Sequence, residues 1–189
     1  MSQQLTAIQK TLTEKGDKNN IAFLEKMVPG RQKMYGVKTP ELNALAKQYK
    51  SYSFDLAAAL WASGALEEKI IAIKIVEKTG KTDPALTIKL FKQFAQSIDN
   101  WAVCDGLGMQ FFRGIVKTHR DEIFVIAHEF SRSTNPWQRR LSLVMVEWYT
   151  RHSDQHTEIK QLVKTLQNDE EYYVKKAVAW IQRNFEKGK

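Results

Sequence analysis

The chain repeats itself every 34 to 36 residues, and few architectures accommodate such a period. The segments EEKIIAIKIV, WAVCDGLGMQ, WQRRLSLVMV and YVKKAVAWIQ begin at Glu67, Trp101, Trp137 and Tyr173, which lie 34, 36 and 36 positions apart. Seven residues ahead of each start stands Leu60, Phe94, Phe130 or Leu166, an apolar residue suited to close a preceding helix. Thr39-Pro40, Asp83-Pro84 and Asn135-Pro136 each read as a capping residue followed by proline at the first helical position. Glycine and proline are scarce, at 9 and 4 among 189 residues, and no strand–turn–strand pattern interrupts the helical spacing. Two helices per period predict an all-α chain, a right-handed α-solenoid of stacked helix pairs whose second helices line a basic concave face. Residues 1–189 read as one such domain.

The bulk properties narrow the class further. A hydrophobic share of 43% with 26% charged residues describes a folded soluble protein, not a disordered one. The single cysteine, Cys104, excludes an intramolecular disulfide and fits a reducing compartment. The opening MSQQLTAIQKTLTEKGDKNN lacks the apolar core of a signal peptide, and even IIAIKIV contains Lys74, so no membrane span is expected. A cytoplasmic monomer is the expectation. Twenty-nine Lys and Arg against 21 Asp and Glu give a formal charge of +8, which favours polyanions through Coulomb attraction and counterion release. Basicity that serves only solubility gives the same number.

The repeat register singles out one residue. Its fourth-offset members are Ile71, Asp105, Leu141 and Ala177. Three are apolar or small, as an inward-facing helix position requires. A carboxylate there is costly unless it is paired, hydrogen-bonded or open to a groove. Trp101 and Asp105 share one helix face, as do Trp137 and Arg140 one repeat later, and Tyr173, Lys176 and Trp180 continue the series. Side by side, such helices present rings and cations along a stripe containing one acid, a surface suited to a nucleic-acid backbone.

Plainer readings stand beside this one. The aromatic residues fit inter-repeat packing, Arg139, Arg140, Lys175 and Lys176 fit a solvated face, and Asp105 fits a structural ion pair with Arg140. On the residues alone, the ion pair outweighs catalysis. Cys104 reads as a small buried residue whose thiolate Asp105 disfavours. His119, His128, His152 and His156 show no metal-ligand spacing, and HSDQH reads as a loop and helix start, so no metal is expected. No phosphate-binding glycine loop, nucleophile elbow or dinucleotide fingerprint is present.

At these residues the sequence resembles the bacterial AlkD-like DNA alkylation repair family, alkylpurine DNA glycosylases built from HEAT-like repeats. The resemblance is carried by YGVKTPELNALAK, NWAVCD, NPWQRRLSL and VKKAVAWIQRNF, which stand in the family's order and together span most of the chain. It implies a DNA-facing active site formed by Trp101, Asp105, Arg140 and Trp180. In that reading Asp105 stabilises positive charge on the sugar and orients water, Trp101 and Trp180 hold the deoxyribose, and Arg140 anchors a phosphate. Trp137, Arg139, Lys176 and Arg183 are lesser DNA-contact candidates. The resemblance implies a monofunctional enzyme without cofactor, acting on duplex DNA that contains N3- or N7-alkylated purines, with no need to extrude the base.

Two features depart from the family. The segment FLEKMVPGRQKMYGV offers no match for the DNA-facing aromatic residue on the family's second helix, and the stretch after Trp180 is shorter, implying a smaller DNA contact surface. Two rivals use the same stripe. A non-catalytic DNA-binding repeat protein predicts salt-sensitive affinity without base release. A helical-repeat adaptor for an acidic protein predicts competition between peptide and DNA, against which a carboxylate in the groove argues.

Overall fold

Residues 2–49 and 53–187 are described by a computed structural model of the chain. Among them every regular element is helical. The order is α1 (Ser2–Glu14), α2 (Lys18–Met27), α3 (Thr39–Gln48), α4 (Phe54–Ser63), α5 (Leu66–Thr79) and α6 (Pro84–Ala95). Then come α7 (Trp101–Gln110), α8 (Arg120–Phe130), α9 (Pro136–Val144), α10 (His156–Leu166) and α11 (Tyr172–Lys187). Short 3₁₀ segments occupy Gly80–Thr82, Glu147–Arg151 and Ser153–Gln155. No helix among the described residues is long and apolar enough to cross a membrane.

The repeat reads directly onto these elements. Its four segments open α5, α7, α9 and α11 within one residue of the expected starts. Leu60, Phe94, Phe130 and Leu166 lie buried in the last turns of α4, α6, α8 and α10. Asn135 caps α9 by accepting the Trp137 N–H at 2.9 Å, and Asp83 accepts the Leu86 N–H at 2.9 Å ahead of α6. Thr39 differs from its expected role. It is the first residue of α3, Lys38 holds the cap position, and the Lys38 carbonyl receives the Glu41 and Leu42 N–H groups. Pro40 removes one N–H that a cap would serve, and the backbone carbonyl covers the next two.

The chain falls into two compact units, one ending at Phe94 and the other beginning at Ala95. In the first, α5 packs against α3 and α4. Its core contains Leu42, Leu60, Ile71 and Ile75, and Trp61 stacks on Phe94 with centroids 4.2 Å apart. The same helix buries Glu67, which is 1% exposed. Its carboxylate accepts the backbone N–H groups of Tyr35 at 3.1 Å, Gly36 at 2.7 Å and Val37 at 3.1 Å. Gly36 adopts φ +80°, and a Cβ there would lie 2.2 Å from the Asp17 carbonyl oxygen, so the loop accepts only glycine. Beside it, Glu68 accepts the Tyr35 hydroxyl at 2.6 Å.

In the second unit α9 packs against α7, α8, α10 and α11. Nine residues long, it buries Leu141, Leu143 and Val144 together with Gln138, Arg140 and Ser142. A Cβ added at Gly108 would come within 2.6 Å of Val144 Cγ1 and 3.0 Å of the Met145 nitrogen. The missing side chain lets the backbone of α7 approach the end of α9. That approach brings the site together.

Candidate functional site

Two asparagine caps set the register of the site. The buried Asn100 side chain accepts the Val103 N–H at 3.0 Å, making Trp101 the first residue of α7 and putting Asp105 one turn later on the same face. Asn135 does the same for α9, which carries Trp137 and Arg140. Arg140 Nε donates to Asp105 Oδ1 at 2.9 Å and Nη2 donates to Oδ2 at 2.8 Å. Nη1 donates to the Tyr173 carbonyl at 2.6 Å, tying the first turn of α11 to the same guanidinium. Three of the five N–H bonds of Arg140 are thus used inside the protein.

The partners differ in exposure. The Arg140 side chain is 10% exposed and that of Asp105 is 29% exposed. The guanidinium backs the pair, and the carboxylate forms its outer edge. Among the repeat's fourth-offset residues, Ile71, Leu141 and Ala177 are fully buried, so Asp105 departs from the repeat in environment as well as in chemistry. A carboxylate oxygen has two lone pairs, and Arg140 occupies one on each oxygen, which leaves the second pair on each for water or a cation.

Aromatic residues surround this centre. The Trp137 ring lies 5.0 Å from Tyr173 with planes at 32°, and Tyr173 meets Tyr172 edge-on at 5.0 Å. Lys176 Nζ sits 4.6 Å above the Tyr172 ring. Trp101 and Trp180 are half-buried on α7 and α11, and Arg183 stands exposed one turn past Trp180. Cys104 lies directly behind, fully buried, its thiol donating weakly to the Trp137 carbonyl at 3.7 Å. Burial, followed by the nearby Asp105 charge, pushes the thiol far above the ordinary cysteine range. It is the small interior residue that its sequence context suggests.

Arg139 turns away from the pair and fastens a loop. Its Nε donates to Asp169 at 2.6 Å, Nη2 reaches the same carboxylate at 3.3 Å, and Nη1 donates to the carbonyls of Ser133 and Thr134. Burial works to raise the Asp169 pKa, but the Arg139 hydrogen bonds and the Glu171 N–H overcome it, and the group titrates below its ordinary value. Of the sequence candidates, then, Asp105, Arg140, Trp137 and Tyr173 form one cluster and Trp101 and Trp180 stand on its flanking helices. Arg139, also on α9, holds the neighbouring loops instead. HSDQH is indeed a short 3₁₀ segment leading into α10, with His152 against the Trp148 ring at 4.4 Å and His156 Nε2 2.7 Å from the Thr150 carbonyl oxygen.

Two participants in the site, and one exposed face in the first unit, escaped the sequence reading. The Tyr173 carbonyl carries no side-chain signal at all. Asn100 was hidden by the absence of a following proline, although the asparagine ahead of a helical stretch was there to be read. On α2, which buries none of its residues, Phe23 is 57% exposed and Met27 53%. Their helical spacing with Leu24 imitates a core stripe, and only their exposure in the fold reveals otherwise.

Among curated proteins none matches the chain. A model of the family described as DNA alkylation repair enzyme matches residues 8–188, which takes in the caps, Asp105, Arg140 and all three flanking tryptophans, and the chain belongs to that family.

Proposed function

We propose that the chain binds duplex DNA and hydrolyses the N-glycosidic bond of cationic N3- or N7-alkylated purines, as a monofunctional glycosylase without a cofactor. The observation that carries this reading is the Asp105 carboxylate, fixed from behind by Arg140 and open along its outer edge, with Trp101 on its own helix and Trp137 and Trp180 on α9 and α11. Family membership supports DNA as the partner.

The chemistry suits these groups. An alkylated purine is cationic, so it departs with the electron pair of its C1′–N bond and becomes neutral, with little call for a general acid. Positive charge then develops on the deoxyribose. The outer edge of Asp105 stabilises that charge and orients a water whose oxygen bonds to C1′ while its proton passes to the carboxylate and on to solvent. Arg140 lowers the net charge of the pair to zero, but it also fixes the pair's dipole with the negative end outward. Preorganisation of this kind avoids reorganising the site as the bond breaks. In this reading Arg140 is a positioning residue, and the faces of Trp101 and Trp180 pack on the sugar. Trp137, Lys176 and Arg183 contact the backbone, while Arg139 fastens the loops that lead into their helices.

The same ion pair supports a second reading, a DNA-binding protein without base release, because a fully paired carboxylate has a sufficient structural role. Release of 7-methylguanine from a methylated duplex separates the two. At equal DNA occupancy the native chain is expected to release the base, and Asp105→Asn is expected to lose about 10²-fold in rate. Tight, salt-sensitive binding without release by the native chain would sink the enzymatic reading and leave the DNA-binding one.

A further inference from the structure

The seam between α7 and α9 does not end at Asp105 and Arg140. One turn further along the two helices come Met109 and Val144, and there the seam opens into a cavity of about 290 Å³ in the second unit. Arg113, Lys117 and Arg151 line it, against a single carboxylate, Glu147. That carboxylate is held to the wall, since Glu147 Oε1 accepts from Arg151 Nη2 at 3.2 Å and from Asn184 Nδ2 at 3.1 Å. Lys117, Arg113 and Arg151 are exposed, so the cavity presents a positive field to solvent. Its apolar wall is made by Met109, Phe112 and Trp148, whose indole is steadied by His152 on a ring contact at 4.4 Å and by Tyr149 edge-on at 5.1 Å.

A neighbouring cavity of about 340 Å³ shares Lys117 and Trp148 but differs in charge. There Arg120 is already bound by Glu158 at 2.6 Å, and also by Asp121 and Gln155, while Asp154 faces the same space. Arg120 is held by three partners, whereas Arg151 in the first cavity is held by one, Glu147. The first cavity therefore combines net positive charge, an apolar ring wall and continuity with the Asp105 seam. Its volume sits at the small end of ligand clefts, enough for one nucleotide unit and too little for a base pair.

We propose that this cleft beside Trp148 is a second DNA-backbone site, which holds one sugar–phosphate unit of the strand engaged at Asp105. The phosphate meets Lys117 and Arg151, and the sugar packs on Met109 and Trp148. At 1.5 Å per helical residue the cleft extends on the order of 6–12 Å beyond Asp105. That distance corresponds to roughly two to four nucleotide steps at a 3.4 Å rise. The assignment rests on the reading of Asp105 as the DNA-engaging centre, and it names a contact which that reading does not contain.

The test uses the full chain and a methylated duplex. In Lys117→Gln/Arg151→Gln, the slope of log affinity against log salt is expected to become shallower by about two, roughly one per phosphate-binding cation. Glu147→Gln, which keeps the Asn184 hydrogen bond and removes the opposing charge, is expected to tighten binding several-fold. Replacing phosphates singly by neutral methylphosphonates should weaken binding by the native chain at one position two to four steps from the lesion, and the double variant should be indifferent there. An unchanged slope together with a native-like methylphosphonate profile in the double variant would overturn the proposal. So would competition for the cleft by inorganic phosphate or a free mononucleotide that leaves the DNA slope untouched, since the site would then serve small anions. The outcome for Asp105 is read separately. Base release with an unchanged slope removes the cleft and keeps the glycosylase, whereas a shallower slope without base release does the reverse.

Discussion

Glu67 and Asp105 are both acids on the second helices of their repeats, and the two units of the molecule hold them in opposite ways. Glu67 is enclosed, and its three donors are backbone N–H groups of a loop some thirty residues earlier in the chain. Asp105 meets a side chain instead, the guanidinium of Arg140, and keeps an exposed edge. A carboxylate filled by main-chain donors organises a loop and has nothing left to offer. One that is gripped from behind by a planar fork is oriented and remains available on its other side. The same functional group serves as a fastener in one unit and, in the proposed function, as a reagent in the other, and the difference lies in which lone pairs the protein occupies.

This contrast can be broken by experiment. Glu67→Ala orphans two buried N–H groups and a half-buried one and is expected to destabilise the first unit by about 3–5 kcal/mol in chemical denaturation. A loss below about 1 kcal/mol would mean that the loop simply rehydrates and that Glu67 is no fastener. Asp105→Asn should behave in the converse manner. The amide oxygen still accepts from Arg140 and water reaches the outer edge, so stability should fall by about 1–2 kcal/mol while base release collapses. Equal damage to stability at both positions would erase the distinction.

A third carboxylate sharpens the comparison by its pH dependence. Asp169 titrates below the unfolded value of 3.8 because Arg139 and a backbone N–H favour its charged form. Its contribution to stability is therefore fully present above that unfolded value and is lost as pH falls through the lower folded one. Arg139→Gln removes the principal cause. Denaturation midpoints followed from about pH 6 to about pH 2 should fall more steeply for the native chain than for the variant. Parallel curves would detach Arg139 from the acid response.

Much of the architecture was legible because its signals are local. The period, the buried closing residues and two of the three proline-marked starts are properties of neighbouring residues, and they located α5, α7, α9 and α11 closely. Thr39 failed because capping depends on which N–H groups remain after Pro40, a matter of one residue's register. The ion pair between Asp105 and Arg140 was legible as a candidate from repeat spacing. The depth of Arg140 was not, because it follows from the close approach that Gly108 permits against Val144. Glu67 was equally opaque, since its ligands are backbone atoms of a distant loop. The cleft at Trp148 arises where α9 gives way to a 3₁₀ segment, and no side-chain pattern announces that change.

The position of Cys104 has a consequence for survival in hostile chemistry. Alkylation repair is needed where electrophiles are present, and such reagents react with thiolates as readily as with purines. The chain carries a single sulfhydryl, sealed behind Trp137 and kept protonated by burial and by Asp105. The residue nearest to the proposed reaction centre that such reagents would modify first is the one they cannot reach.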